Sequence, residues 1–179
     1  SSKKNSVCMR VLMFGWEFPP HIAGGLGTAS YGLTKGLASL DDLEVLFVVP
    51  RAWGDEDQND VRLIGANTVP VAFKKIKFFN RLRDIQKIEV CSKLVPYTAP
   101  EDFWKMAGSQ VSDTDILLKT NVQGKVDFSG SYGPSLMEEI QSYSVVASVI
   151  ASENEFDVIH AHDRLAYPAG IAAKAVSGR

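Results

Sequence analysis

The clearest hydrophobic pattern is the run "VCMRVLMFGW" (7–16), apolar throughout except for Arg10 and closed by a glycine. An unbroken apolar run of this length predicts a strand buried on both faces of a parallel sheet. From Thr28 the period changes. Ala29, Leu33, Leu37 and Leu40 recur at helical spacing, with Thr28 placed to cap the helix. After two aspartates comes "LEVLFVVP" (43–50), a second β-rich run stopped by proline. Strand, helix and strand within about forty residues predict a βαβ unit with a right-handed crossover.

The middle of the chain is less regular. "VRLIGANTVPVAF" (61–73) predicts one or two strands and "IEVCSKLVPY" (88–97) another, separated by the basic, aromatic segment 74–87, read as a solvated helix or hairpin insert. "PEDFWKMAGSQVSDTD" (100–115) and "NVQGKVDFSGSYGP" (121–134) show no period and read as loops. Regularity returns at 134–154, where Pro134 suits a first helical turn and Glu138 and Glu139 follow early. There Ile140, Val145, Val149 and Ile150 form an apolar face. "FDVIHAHD" (156–163) then predicts a short buried strand, and "PAGIAAKAVSG" (168–178) a small-residue helix closed by glycine. The alternation implies an α/β fold, a Rossmann-like α/β/α sandwich with a mainly parallel sheet. A helix ending at Gly178 normally feeds another strand, so the chain reads as part of a longer protein.

Composition narrows the function classes. The chain has 179 residues, is 45% hydrophobic and carries a net charge of −2, so no basic footprint points to nucleic acid. Cys8 and Cys91 lie far apart and match no zinc or redox spacing, and no apolar stretch reaches membrane-spanning length. The expected setting is cytoplasmic. The acidic run "GDEDQND" (54–60) reads as a solvated loop, and Trp53 and Trp104 receive no assignment.

Ligands of an open parallel sheet bind beyond the carboxyl ends of its strands. Two unusual loops fall there: "GWEFPPHIAGGLG" (15–27) after the first strand and "HAHDR" (160–164) after the last. Bare backbone at a helix N-terminus offers free N–H groups and the positive dipole end to an anion, so Gly24, Gly25 and Gly27 suggest a phosphate site. A tight turn needing positive φ would use the same glycines. "GLGTAS" approximates a dinucleotide fingerprint, with Ser30 in its last place. However, eight residues (Trp16 to Ala23) separate Gly15 from the glycine pair, and no carboxylate ends the second strand. Arg51 could there suit a 2′-phosphate. A Walker sequence is lacking.

His160 and His162 share parity on a strand and project to one side. A metal pair would need further ligands, and the following Arg164 and Leu165 break the metallohydrolase pattern. Histidine with Asp163 beside it suits hydrogen bonding to sugar hydroxyls, the carboxylate fixing the tautomer. Trp16, Glu17 and His21 line the first loop, and an aromatic face beside a carboxylate suits a carbohydrate.

"WEFPPHIAGGLGTASYGLTKGLA" and "FDVIHAHDRLAYPAGIAAKAVSG" resemble the two ends of the N-terminal, acceptor-side domain of GT-B retaining glycosyltransferases, the glycogen and starch synthases in particular. The resemblance is specific over these blocks and general between them. It implies that Gly24, Gly25 and Gly27 approach the donor diphosphate, that His162 reaches the transferred sugar beside Asp163, and that Glu17 lies near the acceptor glucan. Ile22 stands where bacterial glycogen synthases place a lysine, and Arg164 where the family often has tryptophan. Both differences point from ADP-glucose-dependent glycogen synthase towards its broader relatives.

The function so implied is hexosyl transfer, glucosyl in the first instance, from an ADP-, UDP- or GDP-sugar to a glycan such as glycogen. It needs no resident cofactor or metal. The nucleotide-binding second domain of such enzymes is absent from this sequence, which implies that the chain alone does not turn over. Two other classes remain open from the residues: a non-catalytic carbohydrate- or nucleotide-binding module, and an NADP-dependent oxidoreductase.

Overall fold

The computed structural model describes residues 9–71 and 120–179. The strand expected at 88–97, the basic segment 74–87, the loop 100–115 and both cysteines lie outside them. Four strands form one all-parallel sheet in the order β3-β2-β1-β4: β1 (Met9–Phe14), β2 (Leu43–Val49), β3 (Arg62–Gly65) and β4 (Val158–Ala161). Among the described residues three α-helices accompany them, α1 (Gly25–Ala38), α2 (Leu136–Glu153) and α3 (Tyr167–Ser177), with a 3-10 turn at Ala66–Thr68. The fold is the expected α/β, Rossmann-like one.

Register sorts the apolar runs onto two faces. Leu12 pairs with Leu46 and Phe14 with Val48, and all four join Tyr143, Val146 and Ile150 of α2 and Ala169 and Ala173 of α3 in one core. The alternate residues, Val11, Met13, Val45, Phe47 and Val49, pack on the other face with Tyr31 and Leu37 of α1. Since successive strand residues point to opposite faces, a run apolar at every position needs helices on both sides.

Helix α1 departs from the expected pattern. It starts at Gly25, with Gly24 as its cap and no side-chain capping bond, and Thr28 lies inside the first turn. The residues buried against the sheet are Gly27, Ser30 and Thr34, whereas Leu33 and Leu40 are exposed. The hydroxyls can be buried because the helix satisfies them: Ser30 Oγ donates to the Gly27 carbonyl (3.1 Å) and Thr34 Oγ1 to that of Tyr31 (2.7 Å). Of the expected apolar stripe, Leu37 packs against the sheet while Ala29, Leu33 and Leu40 are exposed. Pro134 likewise precedes the cap of α2, which is Ser135. In α3 the glycine stop holds: Gly178 sits at φ 72 and its amide donates to the Lys174 carbonyl (2.8 Å).

The strand order fixes where chemistry can gather. From β1 the chain runs outward to β2 and β3, then returns to place β4 on the other side of β1. The β1–β4 seam is the topological switch point, where flanking loops diverge and leave a crevice.

Candidate functional site

Loop 15–24 and the turn after β4 meet at that seam. His162 lies just past β4, and its amide continues the ladder by donating to the Phe14 carbonyl (2.8 Å). A small recess of about 10 Å³ opens there, lined by Trp16, Glu17, Leu26, Gly27, Ser30, Tyr132, His162 and Asp163. It has room for roughly one water-sized oxygen. Five of the eight expected site residues (Trp16, Glu17, Gly27, His162 and Asp163) thus come together. A larger, shallow groove at the amino ends of β2 and β3, lined by Glu44, Asp60 and Arg62 among others, lies away from these loops.

Glu17 is nine-tenths buried, and its Oε1 accepts the Ala23 amide (3.1 Å) while Oε2 has no hydrogen-bond partner among the described residues. A buried carboxylate oxygen without a donor is costly, which marks it as a group able to accept a ligand hydroxyl. Trp16 Nε1 is likewise buried and, among the described residues, without an acceptor, a donor at the same recess. Its indole packs edge-on against Tyr143 (centroids 5.8 Å apart) within the core, so it is a wall of the recess and not an open stacking face.

The three glycines divide. Gly24 is extended (φ −160) and Gly25 opens α1; a Cβ on either would meet nothing among the described residues within 4 Å. Neither takes the positive φ that a tight turn would need. At Gly27 a Cβ would lie 2.9 Å from Glu17 Oε2 and 3.0 Å from Ile22 Cγ2. Gly27 is thus bare so that Glu17 can tuck beneath the helix, whereas Gly24 and Gly25 are bare towards solvent, at an uncapped helix end with no acidic residue in its first turn.

His160 and His162 do face one side, their rings stacked with centroids 5.8 Å apart. Burial first, then the neighbouring His162, holds His160 below the ordinary imidazole range. Asp163 takes φ 74, a left-handed conformation open to Asp, Asn and Gly but costly for branched residues. Asp163→Asn is therefore expected to keep the stability of the protein, and Asp163→Val to lose about 1–2 kcal/mol or more in urea unfolding.

His21 takes a different place. Its Nε2 lies 2.8 Å from Asp55 Oδ1, and its ring stacks on Trp53 (4.8 Å), whose indole also carries the Arg51 guanidinium (3.8 Å). His21 fastens the glycine loop to the loop after β2 and does not line the recess. Among the described residues, His21, Asp55 and Glu56 have potential ligand atoms within 4.8 Å of one another. Glu56, however, is already spent on the amides of Trp53 (2.6 Å) and Gly54 (2.9 Å).

Tyr132 is the residue that sequence reasoning missed. Burial, then the Glu17 carboxylate, with a smaller contribution from Asp163, holds its phenol well above the ordinary tyrosine range. It lies in a stretch without period. The available signal was an aromatic between glycines, "GSYG", just ahead of a helix.

No helix of the described residues is long and apolar enough to cross a membrane. Arg51, the residue that could have met a 2′-phosphate, is engaged with Trp53 and the Phe128 carbonyl (3.0 Å). Neither a curated protein nor a solved structure gives a significant match to this sequence. The family model described as the starch synthase catalytic domain matches residues 10–179, which takes in every strand and helix but the first residue of β1. The chain belongs to the starch synthase catalytic domain family, glycosyltransferases of the glycogen and starch synthase type.

Proposed function

We propose that this chain is the acceptor-side half of a retaining GT-B glycosyltransferase that moves a glucosyl unit from a sugar nucleotide to an α-glucan such as glycogen. The observation that carries the reading is the meeting, at one switch point, of an uncapped glycine helix end with a recess walled by Glu17, Tyr132, His162 and Asp163. The first offers N–H groups to a diphosphate; the second offers paired acceptors and donors to sugar hydroxyls.

In this reading the bond from the anomeric carbon to the departing phosphate breaks, and an acceptor hydroxyl enters on the same face, its proton leaving with the diphosphate. Gly24 and Gly25 stabilise the charge growing on the phosphate through oriented N–H dipoles. His162 and Asp163 hold the transferred sugar, and Glu17 orients the acceptor. The site is completed by a second, nucleotide-binding domain, so this half alone binds ligand without transferring sugar. The donor carries ADP, UDP or GDP, and the working compartment is the cytoplasm.

Tryptophan fluorescence tests this, since Trp16 borders the recess. Titration with maltoheptaose, ADP-glucose or UDP-glucose is expected to give a saturable change, which His162→Ala weakens about tenfold, the ~1.4 kcal/mol of one good hydrogen bond. A response to NADP with silence towards every sugar would sink the reading. Binding without transfer by the protein together with its second domain would favour a carbohydrate-binding module instead.

A further inference from the structure

The wall that carries Tyr132 is irregular, yet it is fastened from two sides. From α2, Glu139 turns its carboxylate back into the fold, where it is about nine-tenths buried. Its Oε1 accepts both the Ser129 amide (3.1 Å) and the Ser129 hydroxyl (2.5 Å), and its Oε2 accepts the Gly130 amide (3.2 Å). From the β2 end, Arg51 Nη1 donates to the Phe128 carbonyl (3.0 Å), and Asn67 pins the backbone beside it through both Ala52 N (2.9 Å) and Ala52 O (3.2 Å). Gly130, at φ 71, passes so close to Arg51 that a Cβ there would lie 3.3 Å from Arg51 Cβ.

An acidic residue in a first helical turn is stabilised by the helix dipole while fully solvated. The dipole therefore does not require Glu139 to be buried. Among the described residues, its carboxylate bonds run to the turn three and two residues before Tyr132. We infer that Glu139 and Arg51 are positioning residues, which hold the 128–131 segment so that the Tyr132 phenol stands against Glu17 at the recess. A carboxylate is needed because both its oxygens accept; glutamine would turn an NH2 group towards N–H donors.

The inference rests on the proposed sugar site only for its consequence in binding, so its test reads Tyr132 directly. In protein labelled with ¹³C at tyrosine Cζ, Tyr132→Phe assigns the resonance. At pH about 11, where an ordinary phenol of pKa about 10 is mostly ionised, the Tyr132 signal is expected to remain that of the neutral form. Glu139→Gln and Arg51→Met are each expected to let it ionise, while the signal of buried Tyr143 stays neutral and reports an intact core. A Tyr132 signal unmoved in both folded variants would overturn the inference. If Glu139→Gln fails to fold, Arg51→Met and Ser129→Ala decide it. Sugar binding, where wild type shows it, is expected to weaken about tenfold in Glu139→Gln. Failure of wild type to bind sugar would count against the proposed function and leave the titration result standing.

Discussion

Replacing Gly24 or Gly25 with alanine is expected to leave the fold untouched and to remove ligand binding, whereas Gly27→Ala does the reverse in order of severity. A methyl at Gly24 or Gly25 meets no atom of the described residues within 4 Å, and neither position has a positive φ. By restricting the unfolded chain, Gly25→Ala should even stabilise by about 0.4–1 kcal/mol, whereas at Gly24 the poor capping by alanine offsets that gain. The same methyl would stand where a phosphate must approach the helix end, so sugar-nucleotide affinity by calorimetry is expected to fall at least tenfold. Gly27→Ala gains up to about 1 kcal/mol of helix propensity but drives Cβ into Glu17 Oε2 (2.9 Å), Ile22 Cγ2 (3.0 Å) and Glu17 Cβ (3.1 Å). Overpacking of this kind costs about 1–3 kcal/mol, and the collision also strains the bond from Ala23 N to Glu17. A net loss of stability at Gly27, a gain at Gly25 and little change at Gly24 is the expected thermal-melt pattern. Equal losses at all three positions would mean that the glycines serve the turn alone.

These glycines also show what the sequence could and could not reveal. Strands β1 and β2 were legible because burial on both faces leaves an unambiguous run of apolar residues; β4 was legible as a strand, but its expected burial was not met, since Val158 is exposed and Ile159 to Ala161 are half-buried. The meeting of the two loops followed from topology, since parallel strands put their carboxyl ends on one edge. The buried stripe of α1 was not legible, because Ser30 and Thr34 satisfy their hydroxyls on the helix backbone and so pack as small apolar residues. His21 could not be told from its neighbours in the loop. Its partner Asp55 is 34 residues away in a stretch whose charges all look solvent-bound. Tyr132 was hidden for a related reason: its place depends on Arg51 and Glu139, contacts that leave no periodic trace.

The largest loss of stability is expected at Tyr143, which joins the helix layer to the site-bearing strands. It is fully buried, and its ring meets Phe14, Trp16 and Phe128 edge-on, at centroid distances of 6.1, 5.8 and 6.3 Å. Its hydroxyl proton is shared between the carbonyls of Gly15 and Val48, both 2.9 Å away, at the ends of β1 and β2. Tyr143→Ala removes the ring at a cost of about 3–5 kcal/mol, a large share of a typical total of about 5–15, so the melting midpoint is expected to fall by roughly 6–20 °C. Tyr143→Phe keeps the ring. The Val48 carbonyl still accepts the Gly15 amide (2.9 Å), but the Gly15 carbonyl loses this donor, and about 1–2 kcal/mol should go. The pH dependence separates the hydroxyl from the ring. Burial raises the Tyr143 phenol well above its ordinary range. The neutral hydroxyl therefore contributes fully below the unfolded value of about 10, and its contribution declines as pH rises towards the folded value, because only the unfolded chain releases the proton. The stability gap between wild type and Tyr143→Phe, from urea unfolding, is expected to be constant from pH 7 to about 9 and to narrow above about 10. A gap that stays constant through pH 11 would mean that the hydroxyl ionises as readily in the folded protein as in the unfolded chain, and that the two carbonyls do not hold it in its neutral form.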